Sequence, residues 1–244
     1  MFKGKIKSDF LKGIIDATSI LVDEVKLRIT SDGIFARAVD PAHVGMIDFK
    51  LLAGAFEEYE AEEESELGID LDKIKGILKL ASGEDTVSLS HGKEERLVIQ
   101  IGNLTRKIGL LDTSTMPDTK IPSLELPAEV VVRTDELYKG IKASEAITDH
   151  IVLLADPEGF ELSAEGDTDT VKLKIPKSQL SSLKCDEQVK SMFALDYFSD
   201  MVKSVKSDEV TLRLGNDYPV KMMFQIAEGN GEVMYLLAPR IESD

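Results

Sequence analysis

The chain has 244 residues, with 29 Lys or Arg against 45 Asp or Glu and a formal charge of −16. A chain of this length with 43% hydrophobic residues can bury a substantial core, as one large domain or two modest ones, which excludes wholesale disorder. The acidic excess repels phosphate at long range and argues against a freely diffusing, high-affinity nucleic-acid binder. No apolar run approaches the ~20 residues of a membrane span, and the opening MFKGKIKSDF lacks the apolar stretch of a signal peptide. A soluble, intracellular protein without membrane contact is expected. The single cysteine, Cys185, cannot form an internal disulfide, and His43, His91 and His150 lack metal-ligand spacing, so neither metal nor cofactor is expected.

In chain order, FLKGIIDATSILVDEVKL from Phe10 predicts a helix followed by a strand. Asp32-Gly33 then punctuates a hairpin between VKLRIT and IFARAV, where glycine would supply a positive φ. The run Phe56 to Glu66 carries seven glutamates and no cation, as a solvated edge or loop does. Leu71, Ile74, Leu78 and Ala81 form the apolar stripe of a second helix. Leu111 to Pro127 contains three prolines, which deny it amide donors and favour extended backbone, so it predicts a stretched connector. Its Ile121, Leu124 and Leu126 need apolar cover or a partner.

The pattern then returns. Lys139-Gly140-Ile141 matches Lys12-Gly13-Ile14, Glu158-Gly159 marks a second hairpin with the same glycine expectation, and Leu195, Phe198, Val202 and Val205 stripe a fourth helix. Strands such as Val25, Leu27, Ile29 and Val171, Leu173, Ile175 alternate in polarity, which predicts antiparallel sheets with one buried face. The fold class expected is α+β, one unit written twice, each with two helices packed on antiparallel sheets. The boundaries are 1–116, a connector at 117–127, and 128–244.

The duplicated unit, the proline-bearing connector and the segments MFKGKIKSDFLKGII, AVDPAHVGMIDFKL, IDLDKIKGILKLA, FALDYFSDMVKSV and LLAPRIES, in this order, resemble the DNA sliding clamps of the proliferating cell nuclear antigen type. The resemblance runs end to end. It implies the DNA clamp fold in a pseudo-sixfold ring of three identical chains around duplex DNA, with helices lining the hole. Encirclement would replace affinity, which reconciles DNA association with the acidic charge.

It also implies site residues. The helix faces opposite the apolar stripes, together with the resemblance, give DNA-facing Lys12, Lys75, Lys79, Lys107, Lys139, Lys142 and Lys203, although lysines late in helices also suit the helix dipole in any soluble protein. A client-peptide pocket would comprise Val39, His43, Val44 and Met46, then Ile121, Leu124, Leu126 and Pro127, then Pro219, Leu236, Ala238, Pro239 and Ile241. Each of these apolar residues could equally be core. Subunit contacts would use Arg106, Lys107, Ile108 and Leu110 on one edge strand and Thr170, Lys172 and Lys174 on the other, with apolar contacts from Ile108 and Leu110 dominating.

The implied role is processivity factor for DNA polymerase and docking platform for replication and repair proteins. Implied partners are a clamp loader, DNA polymerase, flap endonuclease, DNA ligase and other PIP-box proteins, at the nucleoid in the cytoplasm or in a nucleus. An enzyme is disfavoured, because glycine-rich phosphate loops, HExxH, GxSxG and Cys-His pairs are all missing. The alternative is a heteromeric, checkpoint-type ring subunit without a processivity role; such a subunit would not trimerise alone.

Overall fold

The computed structural model describes residues 1–241, so Glu242 to Asp244 at the end of the tail motif lie outside the described residues. Two compact units emerge. One holds Met1–Pro41, Met46–Lys120 and Gln225–Val233, and the other Ala42–Gly45, Ile121–Phe224 and Met234–Asp244. Two short segments, 42–45 and 225–233, are thus grouped apart from their immediate sequence neighbours, which a single cut at the connector does not anticipate.

The first half runs β1 (Phe2–Lys7), α1 (Ser8–Thr18), β2 (Glu24–Thr30), β3 (Gly33–Val39), β4 (Gly45–Leu52), β5 (Phe56–Ala61), β6 (Ser65–Asp70), α2 (Leu71–Leu78), β7 (Thr86–His91), β8 (Arg96–Ile101) and β9 (Leu104–Gly109). The second runs β10 (Ala128–Arg133), α3 (Thr134–Ser144), β11 (His150–Asp156), β12 (Gly159–Glu165), β13 (Thr170–Pro176), β14 (Ser182–Lys184), β15 (Val189–Ala194), α4 (Leu195–Ser204), β16 (Glu209–Leu214), β17 (Val220–Ile226) and β18 (Gly231–Leu237). In the first unit strands pair in the orders β5-β1-β7-β8-β9 and β4-β3-β2-β6. In the second they pair as β13-β12-β11-β15 and β14-β10-β16-β17. Every pairing within these runs is antiparallel. The expected α+β class with two helices per unit is what the structure shows, and 117–127 carries neither helix nor strand.

The helices start where a neighbouring loop accepts an otherwise orphaned amide. Ser8 N–H donates to Asp85 O and Thr134 N–H to Asp208 O, each at 2.8 Å. Leu71 N–H donates to Asp23 O and Leu195 N–H to Asp149 O, each at 2.9 Å. The same two anchors therefore occur in each unit. At α2 the Asp70 carboxylate also caps the helix, accepting from Lys73 N–H at 3.1 Å. Contact with Lys73 and this amide holds that carboxyl below its usual range.

Burial corrects the register of the first repeat. The buried residues Leu11, Ile14, Ile15 and Thr18 of α1 correspond in spacing to Leu137, Ile141 and Ser144 with Gly140 of α3, a helix that begins 126 residues after α1. Thr18 and Ser144 each donate their hydroxyl to the carbonyl four residues earlier, at 2.8 Å. The Lys-Gly-Ile match sets the helices one residue out of step. Lys12 therefore corresponds to Tyr138, and Gly13 to Lys139. The second match needs no correction, because Leu71, Ile74 and Leu78 are buried like Leu195, Phe198 and Val202.

The two hairpin glycines differ in cause. Gly33 has φ +150° and a Cβ there would lie 2.2 Å from Leu51 O. Gly159 lacks a positive φ; it is required by close approach alone, since a Cβ would lie 2.4 Å from Ile175 O. In the core of the second unit Phe193 stacks on Phe198 with centroids 6.5 Å apart, and the buried Tyr235 hydroxyl lies 2.8 Å from Ser204 Oγ. A buried ring of this kind contributes roughly 2–3 kcal/mol of transfer free energy.

Candidate functional site

Among the helix cations, α1 packs against α2, and α3 against α4. Each helix turns its apolar stripe to the sheets and leaves its polar side outward. The outward lysines are largely partnered. Lys12 Nζ donates to Ala81 O at 2.7 Å, which neutralises a helix-end carbonyl rather than a charge. Lys139 pairs with Glu136 at 2.6 Å and Lys142 with Glu145 at 2.7 Å. Lys203 lies 3.3 Å from both Glu145 and Asp200, and Lys107 lies 3.6 Å from Glu94. Lys75 is half-buried and Lys79 exposed at the end of α2. The polar faces of α3 and α4 thus carry bands of exposed, exchangeable ion pairs.

Glu145 is the hub of this band in the second unit. Bonds from Lys142, Ser199 and Lys203 draw its carboxyl down to about 2. Asp149, bonded by His150 Nδ1 at 3.0 Å and by Arg240 Nη1 at 2.9 Å, is likewise drawn down to about 2. Both folded values lie below the ordinary 4.5 and 3.8, so the stabilisation is present above about pH 4.5 and is lost as pH falls toward 2. A carboxyl-carbon NMR titration should find both midpoints near 2; midpoints near 4 would dissolve these networks in solution.

Most of the expected docking residues belong to the second unit. Val44 O accepts from Ala238 N–H at 2.9 Å, so the 42–45 loop and the carboxy-terminal tail meet. Arg240 N–H donates to Met192 O at 2.7 Å, and its guanidinium reaches Asp149, which pins the tail from the other side. His43 is exposed with φ +58°, a left-handed turn residue on the surface rather than a core group. Val39 and Met46 face each other at the ends of β3 and β4, flanking that loop, and both are half-buried. In the connector Ile121 is exposed, Leu124 and Leu126 half-buried and Pro127 exposed. Pro219 is half-buried, as are Ala238 and Pro239, while Ile241 is 73% exposed. Leu236 departs from expectation. At 5% exposure it is floor, not wall.

The expected subunit edges are real edges: β9 and β13 each end a sheet. On β9, Arg106 and Lys107 are exposed, and Leu110, just past its end, is half-buried; on β13, Thr170, Lys172 and Lys174 are exposed. Ile108 corrects the expectation, because at 3% exposure its side chain is spent on its own core and cannot supply an apolar contact. Exposed apolar side chains outside the expected site residues include Leu80 at 69%, Leu104 and Tyr138. Leu80 follows α2, and Arg106 of β9 donates to Lys73 O of α2 at 3.1 Å, so that helix and that edge form one surface. Tyr138 rises from α3, which packs on β13. The signal was available as an apolar residue outside the stripe of each helix.

Among the described residues no cluster of His, Cys, Asp or Glu suits a metal ion, and no helix is long and apolar enough to cross a membrane.

Comparison with known proteins decides the family. Residues 1–114 match the family model for the N-terminal domain of proliferating cell nuclear antigen, and residues 120–240 that for its C-terminal domain. The chain belongs to the proliferating cell nuclear antigen family. It is 48% identical to the DNA polymerase sliding clamp of Methanococcoides burtonii and 47% identical to that of Methanocella arvoryzae, with 100% of both chains covered in each case. Its structure is similar to one described as the C-terminal region of FEN-1 bound to A. fulgidus PCNA, with TM-score 0.96, 35% identity and full coverage of both chains. It is also similar to PCNA from Thermococcus kodakaraensis, with TM-score 0.92, 29% identity and coverage of 98% and 100%. The family's two-domain architecture is thus present throughout the chain.

Proposed function

We propose that three copies of this chain close into a ring that encircles duplex DNA, holds DNA polymerase on it, and serves as a docking platform for replication and repair proteins. The observation that carries this is the match of both family domains over the full length of relatives named DNA polymerase sliding clamps. Charge supports it. A chain at −16 gains little from phosphate affinity, whereas threading retains DNA without it. The edges support it too. β9 ends its sheet with Arg106 and Lys107 exposed, and the approach to β13 carries the exposed Asp167 and Asp169, so the two edges are complementary in charge, whereas the β5 edge carries only the acids Glu57, Glu58 and Glu60. Joining β9 of one copy to β13 of the next is a head-to-tail contact, the kind that generates closed rings.

The A. fulgidus relative carries the C-terminal region of FEN-1. Here the 42–45 loop, the connector residues Ile121 to Pro127 and the tail Ala238 to Ile241 would take such a segment, with apolar anchors in the groove and the extended backbone as hydrogen-bonding edge. The clamp loader, DNA polymerase, a flap endonuclease and DNA ligase are the partners proposed. The chain itself is assigned no turnover, and its place is with the DNA, in the nucleoid or a nucleus.

The test is retention on circular against linear DNA. Loaded protein should stay on a closed circle and leave when the circle is cut; equal retention on both would refute encirclement. Replacing Lys12, Lys79 and Lys142 together by Ala should weaken loading and flatten its salt dependence with the thermal midpoint unchanged, because these exposed or half-exposed groups contribute little to folding. Loading and salt dependence identical to wild type would remove their assigned role.

A further inference from the structure

A cleft of about 500 Å³ opens on the β6-β2-β3-β4 face, lined by Lys26, Arg28, Arg37 and Lys50 around Phe35, with Pro117, Asp118 and Thr119 as its rim. Four cations on one cleft stand out in a chain at −16. Asp48, Glu66 and Asp118 also line it, and the cations fall into two classes by what those carboxylates do.

The inner pair is structural. Lys26, largely buried, bonds the Asp118 carboxylate and reaches Met116 O at 3.4 Å. Arg37 is held by Asp48, with Nε and Nη2 each 2.7 Å from Oδ1, and donates from Nη1 to Thr119 O at 2.9 Å. These two side chains tie the start of the connector to the sheet and so preform the rim. The outer pair is loose. Among the described residues, Arg28 is paired with Glu64 at 3.2 Å and Lys50 with Glu232 at 3.7 Å, both at side-chain exposures above 50% on the cation. Neither Glu64 nor Glu232 lines the cleft. Such pairs exchange partners at little cost. The Arg28 guanidinium also lies 5.9 Å from the Phe35 ring centre, which restricts its fork to one side.

We propose that this cleft binds carboxylate side chains of a docked client, in an acidic segment continuous with the peptide held by the connector. The proposal rests on the docking role proposed above. Thr119 on the rim precedes Ile121 by two residues, roughly 7 Å of chain, so a client lying along the connector reaches the cleft within a few residues. Arg28 and Lys50 release Glu64 and Glu232 and take the client's carboxylates instead; no bond is made or broken.

The probe is a synthetic peptide of the C-terminal region of FEN-1, alone, or extended by three aspartates at one end or at the other, titrated at physiological salt. One of the two extensions should tighten binding by about fivefold, from two exposed pairs, against the repulsion of the whole chain. Arg28→Gln with Lys50→Gln should abolish that gain and leave the unextended peptide's affinity as it was. No gain from either extension, or a gain that survives the double substitution, overturns the proposal. Failure of the unextended peptide to bind would instead overturn the docking role itself.

Discussion

Replacing Thr105 with proline should leave each unit folded and yet convert the protein into monomers that do not stay on circular DNA. Leu110 N–H donates to Glu95 O at 3.2 Å, and β8 and β9 are paired without a shift from Ile101–Leu104 to Arg96–Gly109. Antiparallel strands alternate, so residues 104, 106 and 108 aim their amides at β8, while 105, 107 and 109 aim theirs outward. A proline at 105 spares the β8 ladder and deletes a donor from the open edge, the one place in a sheet where proline fits. An unmet acceptor at each junction costs about 2 kcal/mol, and a closed ring has three junctions, for roughly 6 kcal/mol in all. Sedimentation velocity should show the monomer with an unchanged circular dichroism spectrum; an intact trimer would mean that β9 is not the joining edge.

The second large effect concerns docking. Leu126→Asp with Ile241→Asp should weaken a FEN-1 C-terminal peptide by about 100-fold, the loss of two anchors at over 1 kcal/mol each. Ile241 is 73% exposed and Leu126 half-buried, so a carboxylate at either place stays in water when the site is empty. Leu236 is unsuitable for this test. At 5% exposure a carboxylate there would be buried without a partner, and unfolding would masquerade as lost binding. Unchanged mass and thermal midpoint with unchanged peptide affinity would place the docking surface elsewhere.

The architecture was legible because burial imposes periods that survive in sequence. The α2 and α4 stripes, the alternating strands and the prolines of the connector each carry their own cause. What was misread had a different cause. Lys-Gly-Ile recurs one step out of register because identity between two short segments says nothing of which face is buried, and only the pairs Leu11 with Leu137 and Ile15 with Ile141 settle it. A positive φ is expected at Gly159 because a turn glycine usually needs one, yet the crowding comes from Ile175 on β13, sixteen residues further along the chain.

The site was legible in part. Tail and loop residues were placed together, and Ala238 does bond Val44. Ile108 and Leu236 were misjudged because an apolar residue on an edge or near a tail has two faces to choose from, and the choice depends on strand pairing. The ion pairs of Lys139, Lys142 and Lys203 follow from acids three residues away on the same helix, a spacing that could have been read in advance. The Lys26–Asp118 and Arg37–Thr119 ties could not, since they join positions more than 80 residues apart.

Closure of the ring is the claim from which DNA retention follows, and native mass in solution measures it most directly. Light scattering at micromolar concentration should return three times the 26.9 kDa of the chain. A single species at 26.9 kDa, with β9 and β13 unpaired, would contradict it.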